Sequence, residues 1–92
     1  MSEAVHGIGI ADQMRRAAVS IVSNIAEGAG RVTDRDVAKF LVIARASAGE
    51  LGAQLAIAAD CGCLPADARV IDRADHVRRM LSALIKRLEG SG

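Results

Sequence analysis

The feature that most constrains the fold is a heptad pattern of apolar residues in the middle of the chain. Apolar positions recur at alternating intervals of four and three residues from Val37 to Ala58. This spacing places side chains along one stripe of an α-helix. A second face beside the stripe is made of small and apolar residues and includes Gly49 and Gly52. Because glycine inside a helix costs about 1 kcal/mol relative to alanine, the two glycines indicate that another backbone approaches closely there.

Two further segments show the same helical periodicity, and glycine and proline separate the three. We predict helices from about Ala11 to Glu27, from Asp34 to Cys61 and from Ala66 to Leu88. Thr33 with Asp36 resembles a capping box at the start of the second helix, Gly62 and Pro65 predict the turn before the third, and Gly7 and Gly9 are typical of a flexible turn. Short turns between long helices favour antiparallel neighbours. The predicted fold is therefore all-α: an up-and-down antiparallel bundle of three helices, with residues 1–10 as a flexible N-terminal segment and residues 11–89 as the helical bundle domain.

The apolar surface exceeds what three helices can cover among themselves. Hydrophobic residues make up 51% of the chain, and the one aromatic residue is Phe40. The two apolar faces of the second helix together span more than the stripe that a one-sided surface helix needs. We therefore expect an oligomer of this chain with itself. Its predicted interface is the small-residue face of the second helix: Ala38, Val42, Gly49, Gly52, Ala53 and Ala56.

The charges are nearly balanced, with 12 basic and 11 acidic residues and a net charge of +1. This balance counts modestly against a dedicated nucleic-acid-binding domain, which is usually much more basic. Basic side chains nevertheless cluster near the turn between the first and second helices and at the end of the third helix, where they could contact phosphates of RNA or DNA. The alternative interpretation of these side chains is an ordinary solvated helix surface. The candidates are Arg15, Arg16, Arg31, Arg35, Lys39, Arg78, Arg79, Lys86 and Arg87.

No arrangement of residues predicts catalysis, a cofactor, a metal or a small-molecule substrate. Cys61 and Cys63 lie far in sequence from His6 and His76, and a structural zinc site needs four ligands. One residue separates the two cysteines, which is too close for an ordinary disulfide, and a reducing compartment would keep them as thiols. We interpret them as small hydrophobic residues at a helix end. No apolar run approaches the roughly 18 residues of a membrane span, and the first ten residues are not a signal peptide. We expect a cytoplasmic protein that is not an enzyme.

Three stretches together carry a resemblance to a known family. They are QMRRAAVSIVSNIAEGAGR (residues 13–31), FLVIARASAGELGAQLAIAADCG (residues 40–62) and VRRMLSALIKRL (residues 77–88). They resemble the bacterial four-helix-bundle family named for intervening-sequence proteins of the large ribosomal RNA gene. The chain is similar, more distantly, to the accessory variability protein of diversity-generating retroelements. The family positions present here are Arg15, Arg16, Asn24, Glu27, Arg31 and Arg45.

The resemblance implies a non-enzymatic helical bundle that assembles into barrel-like homopentamers, with an RNA- or DNA-binding accessory role. Family members usually begin with an additional amphipathic helix, whereas about ten residues precede the matching stretch here. The resemblance therefore implies either a bundle that lacks its first helix or a gene start that has been lost or misassigned. An exposed groove would result, to be filled by a neighbouring chain or left unstable. The alternative function is a protein–protein adaptor whose partner supplies the missing helix.

Overall fold

The computed structural model describes residues 3–63 and 68–90, with side chains described for residues 9–63 and 69–90. The chain forms α1 (Glu3–Ala29), α2 (Asp34–Asp60) and α3 (Ala68–Gly90). These described residues contain no β-strand. The structure therefore confirms an all-helical fold with three helices.

The start of α2 has the capping residue that its sequence predicts. Thr33 precedes the helix in an extended conformation, and its hydroxyl oxygen accepts a hydrogen bond from the backbone N–H of Asp36 at 3.2 Å. This bond satisfies one of the backbone donors left unpaired at a helix start. At the other end Gly62 has a φ of 75°, the left-handed conformation that commonly ends a helix. Pro65, which we also expected to shape this turn, lies outside the described residues.

The predicted start of the first helix at Ala11 was wrong, because α1 begins at Glu3. Residues 3–10, which we assigned to a flexible segment, are therefore helical. We interpreted Gly7 and Gly9 as turn residues. Each glycine costs a helix only about 1 kcal/mol, and extending a helix that has already formed adds one hydrogen bond per residue. That gain allows α1 to continue through both glycines.

α1 packs antiparallel against α2, and the closest approach is near the turn that joins them. Ser20 of α1 contacts Ser47 of α2, whereas Gly28, later in α1, lies against Phe40, earlier in α2. A Cβ atom built on Gly28 would lie 3.3 Å from the Cβ of Phe40 and 3.4 Å from the carbonyl oxygen of Val37. A side chain at position 28 would push the two helices apart, so the glycine sets their spacing here.

α3 packs antiparallel against the opposite side of α2, and the small-residue face contributes to this contact. Gly52 faces Ala74, and Gly49 faces the side chain of Arg78. A Cβ atom on either glycine would meet these neighbours at 3.8 and 3.7 Å, which is ordinary van der Waals contact. The packing of α3 therefore does not require glycine at these positions, and the close backbone approach that we inferred is not made within the chain.

The buried core is thin because its members are mostly small. One cluster joins Leu41 and Ala44 of α2 to Leu81 and Ile85 of α3. No large side chain among the described residues is less than 2% exposed. Alanine buries little apolar area, so each of these positions contributes little to stability. Six of the ten buried apolar residues are alanines: Ala17, Ala38, Ala44, Ala48, Ala58 and Ala74.

The three helices form an open layer with α2 in the middle. No pair of Cα atoms within 8 Å joins α1 to α3 across the described residues, although each helix packs against α2. The molecule measures 50 × 20 × 14 Å. Its shortest dimension is close to the diameter of one helix with its side chains, about 10 to 12 Å. One side of α2 is therefore left uncovered between α1 and α3.

α2 is also long and apolar enough to cross a membrane if length and composition alone are considered. Over 18 residues its mean hydropathy reaches 1.3, although no uninterrupted apolar run of that length is present. The central helix of a helical domain has the same composition, because both of its sides pack against neighbours. Both other helices contact α2 here, and Arg45 and Glu50 interrupt its apolar residues.

Candidate interaction surfaces

An open apolar groove lies between α1 and α3 with α2 as its floor, and we call it the three-helix groove. Its volume is about 310 Å³, and Arg73 is the charged side chain that lines it. Two of its apolar side chains are well exposed, Val22 by 68% and Val70 by 45%. The remaining lining residues are Ala18, Ile21, Leu51, Leu55, Ala74 and Val77.

The three-helix groove collects the heptad stripes of all three helices. Ile21 of α1, Leu55 of α2 and Val77 of α3 each belong to the 4-3 pattern of their own helix, and all three line the groove. The family resemblance also implies an exposed groove that a neighbouring chain fills, and the filling of the three-helix groove stays a prediction. The assignment of the interface to the small-residue face did not identify this surface. The shared direction of the three stripes depends on how the helices pack, which the periodicity of one helix does not encode.

The six residues of the small-residue face differ in exposure. Ala38 is buried within the chain, whereas Val42 and Ala53 are exposed. A contact between chains at this face stays a prediction, and Val42 and Ala53 are its accessible members. The other three are half-buried: Gly49, Gly52 and Ala56.

A small polar cluster joins α1 to α2 in the middle of their contact. The hydroxyl oxygens of Ser20 and Ser47 lie 2.7 Å apart. The amide nitrogen of Asn24 donates to the carbonyl oxygen of Ser20 at 2.8 Å and to its hydroxyl at 3.2 Å. Ser47 is 9% exposed, so these bonds satisfy polar groups that water reaches poorly. Asn24, a family position, bonds only to Ser20 within α1, and the hydrogen bond between Ser20 and Ser47 is the one in this cluster that joins the two helices.

Two further family positions build the corner where α1 turns into α2. Arg31 lies 3.2 Å from a carboxylate oxygen of Glu27, and its guanidinium carbon is 4.7 Å from the centre of the Phe40 ring. This geometry is a cation–π contact, worth about 0.5 to 1 kcal/mol at an exposed site. Arg31 and Glu27 thus have a structural role, and Arg31 is already engaged before any phosphate approaches.

Arg15 and Arg16, the two candidate cations in α1, share one carboxylate, that of Asp12. Arg15 lies 2.6 Å and Arg16 lies 3.1 Å from the carboxylate of Asp12. The hydrogen bond from Arg15 and the positive charge of Arg16 lower the pKa of Asp12 below its ordinary value of 3.8. The carboxylate stays charged and cancels half of the positive charge of this cluster.

α3 repeats this arrangement. Arg78 lies 2.7 Å and Arg79 lies 3.0 Å from the carboxylate of Asp75. The hydrogen bond from Arg78 is the main cause of the lowered pKa of Asp75. Four of the nine candidate cations are therefore tied to two carboxylates within single helices, which weakens the case for them as phosphate contacts.

A different group of cations lies where α2 begins and α3 ends. Arg35 and Lys39 line a pocket of about 420 Å³ together with Leu88 of α3, and Asp34 and Glu89 add negative charge to its wall. Among the described residues, three of the candidate cations take part in no ion pair: Arg35, Lys39 and Lys86. Arg87 lies in the last turn of α3, beside this group in sequence. Arg45, carried over from the family, is half-buried in α2.

Cys61 and Cys63 are free thiols, and both are exposed. Cys61 ends α2, as we expected for a helix end, whereas the exposure of both thiols does not fit a hydrophobic contact there. In the part of the chain that the structure describes, no group of three or more His, Cys, Asp or Glu residues could hold a metal ion.

The fold and these surfaces define a class: an all-helical protein with an unfilled apolar groove and ion-paired outer faces. The comparison with known families identifies its place within that class. Residues 3–83 match the family described as 23S rRNA-intervening sequence protein, and the chain belongs to this family. No curated protein and no solved structure matches the chain.

Proposed function

We propose that this chain is a non-enzymatic helical protein that associates with itself through the three-helix groove and acts as an accessory to RNA in the cytoplasm. The observation that carries the proposal is the groove itself, an apolar surface shared by three helices with Val22 and Val70 exposed in it. An apolar groove that three helices line is a surface that a second chain can cover.

The size of the molecule supports a second copy as the occupant. The long and middle dimensions, 50 and 20 Å, give one face an area of roughly 1,000 Å² as their product. A stable interface buries roughly 800 Å² per partner. One face is therefore large enough for a dimer contact. Because the alanine-rich core buries little apolar area, burying more of it between chains would stabilise the fold. Assembly into pentamers, which the resemblance implies, would use this contact as one of its interfaces.

Hydroxyl-radical footprinting tests which surface the association covers. We expect oxidation of Val22 and Val70 to fall several-fold as the chain concentration rises into the micromolar range. Val32 and Ile57 are matched controls, because they are exposed by 98% and 54% but lie outside the groove. If oxidation of Val22 and Val70 does not change with concentration, as expected for the two controls, the groove is ruled out as the interface.

The adaptor function makes a different prediction in the same experiment. α1 and α3 leave a gap over α2, and a single helix from a partner protein would also fit an apolar groove of this kind. In that case the groove residues of the pure chain stay reactive at all concentrations. They become protected when a stoichiometric partner chain is added.

An RNA accessory role is supported by the family and by the cations at one end of the molecule. The family description refers to an intervening sequence of 23S rRNA. Arg35, Lys39 and Lys86 form no ion pair among the described residues, so no carboxylate has to be displaced before they contact a phosphate. They are therefore better candidates for RNA contacts than the arginines that share Asp12 and Asp75.

The salt dependence of RNA binding separates the two groups of cations. Each phosphate contact adds about 0.7 to 0.9 to the slope of log affinity against log salt concentration. We expect Arg35→Ala with Lys39→Ala to lower this slope for a fluorescent RNA by about 1 to 2. Arg78→Ala with Arg79→Ala is the matched control and should change the slope by less. Equal slopes for all variants, or no binding of RNA at low salt, would argue against this role.

A further inference from the structure

We propose that Cys61, Gly62 and Cys63 form a reversible dithiol–disulfide site at the end of α2. The two cysteines are separated by one residue, and both are free and exposed. Exposed thiols are accessible to small disulfides in solution, whereas buried cysteines are inert. The proposal is independent of the three-helix groove and of RNA binding, since neither surface includes these residues.

A disulfide over one intervening residue is not an ordinary one, but the left-handed backbone at Gly62 favours a short separation between the Cα atoms of the two cysteines. Gly62 has a φ of 75°, and Cys61 has φ −80° and ψ −5°. Consecutive Cα atoms are about 3.8 Å apart, and a compact residue between them places the outer pair roughly 5.5 Å apart. Disulfides span Cα distances of about 4.4 to 6.8 Å. An extended residue at position 62 would separate the two Cα atoms by roughly 7 Å, beyond this range.

Backbone hydrogen bonds hold this turn in place while the thiols are reduced. The N–H of Gly62 donates to the carbonyl oxygen of Ala59 at 3.1 Å, and the N–H of Cys63 donates to that of Ala58 at 2.9 Å. The bond from Cys63 closes the chain back onto the last turn of α2, as helix-ending glycine motifs do. The backbone that carries the two thiols is thus fixed by hydrogen bonds to α2.

The oxidant that we name is a low-molecular-weight disulfide such as glutathione disulfide. One cysteine thiolate attacks a sulfur of that disulfide, forms a mixed disulfide and releases one glutathione thiolate. The second cysteine thiolate then attacks the protein sulfur of the mixed disulfide and releases the second glutathione. The two protein thiols are oxidised, one glutathione disulfide is reduced to two thiols, and the two protons lost by the cysteines are taken up by the leaving thiolates.

The resulting disulfide is expected to be readily reduced. It closes a loop over a single residue, so it removes little entropy from the unfolded chain and adds little stability. Exposed or strained disulfides have higher reduction potentials than structural ones and respond to the surrounding thiol pool. This site would therefore be reduced under strongly reducing conditions and oxidised when the disulfide fraction rises.

The test is to equilibrate the full chain in buffers with rising ratios of glutathione disulfide to glutathione, trap the free thiols by alkylation and measure the intact mass. We expect a species that has lost the mass of two hydrogen atoms, carries no glutathione and forms at the same ratio whatever the protein concentration. Cys61→Ser and Cys63→Ser should each give a glutathione adduct instead. A wild-type chain that carries two glutathione adducts, or that forms disulfides only between chains, would overturn the proposal.

A substitution in the turn tests its geometry. Gly62→Ala places a side chain at a φ of 75°, which alanine rarely adopts, so the turn should shift and the two cysteines should separate. We expect this variant to need a several-fold higher glutathione disulfide ratio for half-oxidation. Circular dichroism at low ratio should show that α-helix content is unchanged. Oxidation of this variant at the wild-type ratio would contradict the role given to Gly62.

Discussion

A lysine placed in the three-helix groove should weaken self-association strongly. Val22 is 68% exposed in the single chain, more than Val70, the other well-exposed large apolar residue of the groove, which is 45% exposed. Val22→Lys introduces a charge that has no carboxylate partner there, because the charged residue lining the groove is Arg73. Lysine is a better helix former than valine, so α1 itself should not be destabilised. Any loss of association would therefore come from the groove and not from unfolding.

The magnitude follows from the area that association would bury. Full burial of a valine side chain contributes about 1.5 to 3 kcal/mol. With 68% of Val22 exposed in the single chain, covering it contributes roughly 1 to 2 kcal/mol per copy. A symmetric dimer contains this contact twice, which gives about 2 to 4 kcal/mol. Since every 1.4 kcal/mol corresponds to tenfold in affinity, the dissociation constant should rise roughly 30- to 700-fold.

Sedimentation velocity over a range of concentrations measures this change. Val32→Lys is the matched control, because Val32 is 98% exposed and lies in the turn between α1 and α2, outside the groove. We expect the control to associate as the wild type does. The reasoning is refuted if both variants associate as strongly as the wild type. It is also refuted if Val32→Lys is weakened as much as Val22→Lys.

Three further predictions concern the fold and its charges. Gly9→Ala should raise the free energy of unfolding, measured by urea denaturation, by about 1 kcal/mol. Gly9 is inside α1, and an added Cβ atom would meet no neighbouring group within 4 Å. If the free energy does not rise, a helix that begins at Glu3 is contradicted. A double-mutant cycle of Ser20→Ala and Ser47→Ala should give a coupling of about 0.5 to 1.5 kcal/mol, whereas additive losses would mean that their hydrogen bond contributes nothing. The lowered pKa values of Asp12 and Asp75 mean that the unfolded chain binds more protons in acid, so the free energy of unfolding should fall slightly as the pH drops below about 5. Asn at both positions should flatten that fall, and an unchanged acid profile would count against the two ion-pair clusters.

The helices themselves could be predicted from the sequence because their determinants are local. The 4-3 spacing of apolar residues identified α2, and Thr33 marked its start correctly. The start of α1 was missed by eight residues, because Gly7 and Gly9 are typical of turns and their cost is outweighed only when the rest of the helix is present. Helix ends depend on this cooperative balance, so they are less predictable than helix positions.

The interaction surfaces were harder to predict because they depend on how the helices pack. The glycines at 49 and 52 suggested a close backbone contact, yet the tight glycine within the chain is Gly28, at the corner between α1 and α2. The basic residues looked equivalent in sequence. The structure separates those that share Asp12 or Asp75 from those at the start of α2, a difference that arises from side-chain geometry.

The molar mass of the wild-type chain in solution, measured by light scattering during size-exclusion chromatography at micromolar concentration, tests the central claim most directly. A single chain has a mass of 9.6 kDa. If the three-helix groove is buried by further copies of the chain, the measured mass will be a whole-number multiple of this value, two or more. A stable, cooperatively folded species of 9.6 kDa across the micromolar range would contradict the claim.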